Sequence, residues 1–128
     1  MKNAPASPAS GALPTVLVLG MGDTGILTAG RLSRHCRVIA VTTKPLLVSG
    51  QELGLRLTGH AQWRRDYLTP LDRYRRLSRV EIIHGKAIRV DPVARTAALQ
   101  LAGGEHRSLH WDYLVIASGV SNGFWRDD

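Results

Sequence analysis

Val16-Leu-Val-Leu-Gly20-Met-Gly22-Asp-Thr-Gly25 carries an apolar run straight into the pattern Gly-x-Gly-x-x-Gly. Counted from Thr15 to Leu19, the run has strand length and no polar alternation. Such a strand needs cover on both faces, as a central parallel strand does. From Thr24 to about His35 the periodicity turns helical. Ile26, Ala29, Gly30 and Ser33 fall at i, i+3, i+4 and i+7, a face of small residues suited to close packing on a sheet. Val38-Ile-Ala-Val41 is a second apolar strand. Strand, glycine turn, helix and strand make a βαβ unit, and the expected fold class is α/β, Rossmann-like, with a parallel central sheet.

Within the turn the three glycines have separate physical roles. Gly20 permits the tight turn, Gly22 lets a pyrophosphate approach the backbone, and Gly25 allows helix and strand to touch. The helix start then offers free N–H groups and partial positive charge. Thr24 shares this stretch. Asp23 reads in two ways: its carboxylate repels a pyrophosphate, or it faces outward and favours the helix N-terminus. About 20 residues after the glycines, such units place an acidic residue on the adenosine ribose. Here that place holds Thr42-Thr43-Lys44, whose hydroxyls and cation suit a ribose or a 2′-phosphate.

Beyond this unit the pattern is less regular. Residues 46–62, with Ser49-Gly50 and Gly54, are expected to be loop or short helix, and Leu71 to Leu77 a short basic helix after Pro70. Glu81-Ile-Ile-His84 and Ala87-Ile-Arg-Val90 read as strands separated by Gly85. Asp91-Pro92 marks a turn, and Gly103-Gly104 marks a hairpin between Thr96–Leu101 and Ser108–Trp111. Tyr113-Leu-Val-Ile-Ala117 is another fully apolar run, expected as a second central parallel strand, and it ends at Ser118-Gly119. Residues 1–14, rich in Ala, Pro and Ser, are expected to be a disordered lead-in to one domain over 15–128.

The 128 residues suffice for one core, and 44% hydrophobic with 21% charged residues is the composition of a folded chain. Cys36 is the only cysteine, which excludes an intrachain disulfide and makes the thiol a small hydrophobe rather than a redox centre. With no signal-like segment and no run of ~18 apolar residues, a cytoplasmic protein is expected. His35, His60, His84, His106 and His110 are scattered without metal-ligand spacing, and no catalytic residue or metal site is assigned. The net charge of +7 includes Arg64, Arg65, Arg73, Arg75, Arg76 and Arg79. That stretch reads as a solvated face, or as attraction to anionic lipid. Nucleic-acid binding is not expected, because the stretch lacks interleaved stacking aromatics.

Three segments together resemble the two-dinucleotide-binding-domain flavoproteins, FAD/NAD(P)-dependent pyridine-nucleotide oxidoreductases, and within them the type II NADH dehydrogenases and apoptosis-inducing-factor-like enzymes. These are Val16 to Gly25 with Ala29 following, Val80-Glu-Ile-Ile-His-Gly-Lys-Ala-Ile-Arg-Val-Asp91, and Asp112-Tyr-Leu-Val-Ile-Ala-Ser-Gly119. Order and spacing match over roughly residues 15–125. The resemblance implies that Gly20, Gly22 and Gly25 face the FAD pyrophosphate. It puts Thr42 at the family's acidic ribose position, Thr43 and Lys44 with Pro45 on the adenosine side, and the Ala87 backbone near adenine. Ala117, Ser118 and Gly119 match an Ala-Thr-Gly segment, with Ser in place of Thr.

The resemblance further implies FAD as cofactor, NAD(P)H as electron donor, and a quinone or similar acceptor. It also implies a cytoplasmic protein that could sit peripherally on the inner face of a membrane. The family's redox Cys pair is absent from residues 44–60, which argues against thiol–disulfide chemistry. Family members are several-fold longer, with an inserted NAD(P)H domain. A truncated product, or one whose partner domain or subunit lies elsewhere, is therefore expected to be weakly active or inactive alone. Two alternatives stay open: a small nucleotide-sensing regulatory Rossmann domain, and an NADP-binding reductase fragment.

Overall fold

The computed structural model describes residues 11–48 and 57–119. Residues 1–10 of the lead-in expected over 1–14, the Gly50 and Gly54 region and the C-terminal residues from 120 onward lie outside them. Strand β1 (Thr15–Leu19), helix α1 (Asp23–Leu32) and strand β2 (Arg37–Thr42) form the βαβ unit, and the helix is capped at Ser33. A six-stranded sheet has the order β7-β6-β5-β2-β1-β8. Its remaining strands are β5 (Val80–Asp91), β6 (Thr96–Leu101), β7 (His106–His110) and β8 (Tyr113–Ile116). β1 runs parallel to β2 and β8, and β2 runs parallel to the first half of β5.

The apolar runs are used on both faces. Val16 and Val18 of β1 with Val38 and Ala40 of β2 pack against Ile26 and Ala29 of α1 and against Leu71 and Leu77. Leu17 and Ile39 point the other way, to Leu99, Leu109 and Trp111. The sheet therefore curls: its antiparallel part lies over the second face, where no helix is needed. Alternation on a buried strand is thus between two cores rather than between core and water.

Four expectations change. β5 is one strand of twelve residues, not two, and Gly85 is where it changes partner, from parallel β2 to antiparallel β6. A Cβ at Gly85 would lie 3.1 Å from Leu101 Cα, so the glycine admits a neighbouring backbone rather than breaking the strand. Leu46–Val48 is a strand, β3, paired antiparallel with β4 (Leu68–Pro70), where loop or short helix was expected. A helix, α2 (His60–Tyr67), precedes β4 and buries Trp63.

Leu71 to Leu77 is two single 3-10 turns, Leu71–Arg73 and Arg75–Leu77, because Tyr74 between them is extended (ψ 105°). Lastly, β8 is parallel but stands at the sheet edge instead of its centre, since β1 is its one strand partner among the described residues. The hairpin and the Asp91 turn are as expected: Asp91 accepts the Val93 and Ala94 N–H groups, each at 2.9 Å. Those bonds hold its carboxyl below the usual range, Ala94 contributing most.

Candidate functional site

Three parallel strands, β1, β2 and β8, end together, and their ends are tied by backbone bonds. The Gly20 N–H donates to Val41 O at 2.8 Å, and the Ala117 N–H donates to Leu19 O at 2.7 Å. Just beyond these ends lies an open cleft of about 510 Å³. In an open α/β sheet this is where ligands bind.

Gly20 turns the chain at φ 97°, and a Cβ there would fall on the Ala117 carbonyl and 2.7 Å from Ser118 Cα. A side chain would push β8 away from the turn. Gly25 is buried with the place of its missing Cβ filled by the Gly20 carbonyl, which is how the helix reaches the strand. Gly22 is the opposite case: nothing lies within 4 Å of where its Cβ would be. That open space, on the N-cap of α1, suits a pyrophosphate pressed against backbone. The helical ladder begins with the Ile26 N–H donating to Gly22 O at 2.9 Å, so the N–H groups of residues 23–25 precede it.

Of the residues expected at the site, Gly20, Gly22, Asp23, Thr42, Thr43, Lys44, Ala117, Ser118 and Gly119 line this one cleft. Thr24 is exposed on the first turn of α1, outside the lining, and Gly25 supports the turn from behind. Ala87 is partly buried against the second core and does not line the cleft. Its neighbours Gly85 and Lys86 do, together with Met21, Leu46 and Leu47. The sequence reading missed these. Gly85 offered a signal, since a glycine within an apolar strand marks close backbone approach. Leu46 and Leu47 offered none.

At the end of β2 the cleft is cationic. Lys44 and Lys86 line it, and Asp23, near the glycine turn, is the one carboxylate among the lining residues. Thr42 is buried, and its hydroxyl is already engaged. It donates to Lys44 O at 2.7 Å and accepts the Lys44 N–H at 3.1 Å. The hydroxyl thus holds the β2–β3 connection in shape. His84 closes the neighbouring surface, its Nε2 2.9 Å from Thr43 O. Among the described residues no group of His, Cys, Asp and Glu is placed to hold a metal.

A parallel sheet, a glycine turn against a helix start and a cleft at the strand ends define a Rossmann-type fold. In fold, the chain corresponds to part of the FAD- and NAD(P)-dependent pyridine-nucleotide oxidoreductases. NDH2 from Plasmodium falciparum, solved in complex with NADH, superposes with a TM-score of 0.73 at 15% identity, covering 88% of this chain and 24% of that one. The sulfide:quinone oxidoreductase of Aquifex aeolicus gives 0.64 at 29% identity, over 83% of this chain and 24% of the other. The water-forming NADH oxidase of Lactobacillus brevis, bound to NADH, gives 0.68 at 19% identity, over 83% and 25%. The chain thus spans about a quarter of the length of the solved structures it matches. No family model and no curated protein sequence matches.

Proposed function

We propose that the chain is the FAD-binding portion of an NAD(P)H-dependent flavin oxidoreductase that passes electrons through FAD to a quinone or another acceptor. The observation that carries this is the convergence, in one cleft, of the glycine turn, the Thr42-Thr43-Lys44 segment and Ala117-Ser118-Gly119, residues drawn from three separated parts of the chain. On this reading Gly20, Gly22 and Gly25 shape the pyrophosphate seat. Thr43 and Lys44 face the adenosine side, and Ala117 to Gly119 close the far wall. The flavin, when bound, supplies hydride acceptance and onward electron transfer, while these residues bind and orient it. A further domain or subunit supplies the NAD(P)H half, consistent with the quarter-length coverage. Attachment to an anionic membrane surface belongs to the same reading.

A second reading is favoured by one observation. With the Thr42 hydroxyl engaged and Lys44 and Lys86 at that end of the cleft, a 2′-phosphate meets cations where a free ribose diol meets no carboxylate. NADP(H) is the dinucleotide that carries such a group.

The deciding experiment is an absorption spectrum of the purified chain, with and without added FAD, followed by NADPH titration. A flavin band that survives desalting is expected. Saturable NADPH binding without flavin would overturn the FAD assignment in favour of the NADP or nucleotide-sensing readings. The chain alone is expected to be weakly active or inactive, and NAD(P)H-driven dye reduction by it would contradict that.

A further inference from the structure

The opposite end of the sheet has its own charge pattern. β2 and β5 are parallel neighbours in the register Val38↔Val80, so Arg37 and Arg79, each one residue earlier, start from the same edge although 42 positions apart. Arg34 follows the C-terminus of α1 and joins them: all three line an open cleft of about 790 Å³. Arg76 lies alongside, its Cβ 3.5 Å from where a Gly30 Cβ would be.

Neutralisation is incomplete. Glu81 sits 3.7 Å from Arg37 and 3.1 Å from Arg107, so one carboxylate serves two guanidiniums. Asp112, also lining the cleft, accepts the Thr15 N–H at 2.7 Å. Among the described residues Arg34 and Arg79 have no ion-pair partner, though the α1 carbonyl end offsets part of the Arg34 charge. Apolar surface occurs at the same end. Leu13, in the cleft wall, is 63% exposed, and Tyr113, next in sequence to Asp112, is 50% exposed.

We infer that this arginine-lined end docks on an anionic phospholipid surface, an inference that rests on the peripheral-attachment part of the proposed function. Guanidiniums pair with lipid phosphate and carboxylate, while Leu13 and Tyr113 enter the interfacial layer. A nucleic acid would satisfy the cations and leave Leu13 uncovered, which is why lipid is the better fit. The nucleotide cleft, at the other end of the strands, stays open to solvent in this orientation.

The test is co-sedimentation of the 128-residue chain with phosphatidylcholine vesicles, with and without phosphatidylserine, at low and high salt. Each cation near an anionic surface strengthens binding about fivefold. Arg34→Gln/Arg37→Gln/Arg79→Gln should therefore lose on the order of 100-fold at low salt. Arg64→Gln/Arg65→Gln/Arg73→Gln, with the same change in net charge, should lose far less. Arg34→Gln/Arg79→Gln leaves the Glu81 pairs intact, and circular dichroism and melting check that each variant folds. Equal binding to pure phosphatidylcholine, equal losses from both triple variants, or binding to an oligonucleotide but not to vesicles would overturn the inference. Flavin retention on the same samples separates the two ideas. Flavin without vesicle binding sinks the docking surface and the membrane attachment while leaving the FAD assignment standing, and vesicle binding without flavin sinks only the cofactor assignment.

Discussion

β1 and β8 are written almost identically, Val-Leu-Val-Leu beside Tyr-Leu-Val-Ile, and they are hydrogen-bonded neighbours in register. Yet Leu17 is 1% and Val18 0% exposed, whereas Tyr113 is 50% and Ile116 69% exposed, with Leu114 and Val115 only partly buried. The difference lies not in the residues but in the neighbours. β1 has a strand on each side and a core on each face, while among the described residues β8 has a strand on one side. An apolar run therefore reports that a strand is of buried type, not that its cover is present in the same stretch of chain.

The pair Leu17↔Leu114 gives the sharpest test, because it is the same residue type in adjacent, paired strands. Leu17→Ala should cost about 3–5 kcal/mol, by lost burial and a cavity in close-packed surroundings. Leu114→Ala should cost about 1 kcal/mol, since water already reaches the site. Urea denaturation of both variants measures the gap. Equal losses would mean that the β8 edge is covered in solution.

The glycine turn divides in the same way between packed and open. Gly20→Ala should destabilise by about 2 kcal/mol, from a forced left-handed backbone and collision with the Ala117 carbonyl. Gly22→Ala should change stability by well under 1 kcal/mol, since open space surrounds it. On the proposed reading its effect belongs on FAD affinity, so thermal melts with and without FAD distinguish the two positions. A Gly22→Ala variant that melts like Gly20→Ala would show that the turn is packed on both sides. Smaller again, Ile116→Lys should alter stability by no more than about 0.5 kcal/mol. It should also reduce self-association, read by light scattering, because a charge on an exposed edge strand discourages edge-to-edge pairing.

The same contrast explains what could be read from the sequence. The β1–α1–β2 unit was legible because the period switches cleanly from strand to helix and back, with the glycines at the switch. The meander was legible from Asp91-Pro92 and Gly103-Gly104, whose local chemistry sets the turns. The β3, α2 and β4 region was not, since Leu46–Val48 pairs with residues about twenty positions later and carries no alternation of its own. Gly85 misled because a glycine that admits a neighbouring backbone looks the same as one that ends a strand. The cleft lining was legible where motif residues form it, and not at Lys86 or Leu47, which arrive there through sheet register. The arginines at the far end were obscured likewise: Arg34 and Arg37 meet Arg79 only because β2 and β5 start level.

At the rim, Asp91 should give the smallest effect and the most specific one. Its carboxylate accepts two backbone N–H groups, which favours the ionised form and holds its folded pKa below the ordinary value. A depressed carboxyl contributes stability that is fully present above the unfolded pKa and lost as pH falls through the folded one. Wild type should therefore melt slightly above Asp91→Ala at neutral pH. That margin should shrink on acidification below the usual aspartate range and disappear once the carboxyl is protonated. Asp91→Asn keeps a neutral acceptor for the two N–H groups, so it should fall between them with a flatter dependence. Paired melting curves across acidic pH decide it. A margin that stays constant with pH would assign the turn's stability to backbone shape, held by Arg95 at φ 52°, rather than to the charge on Asp91.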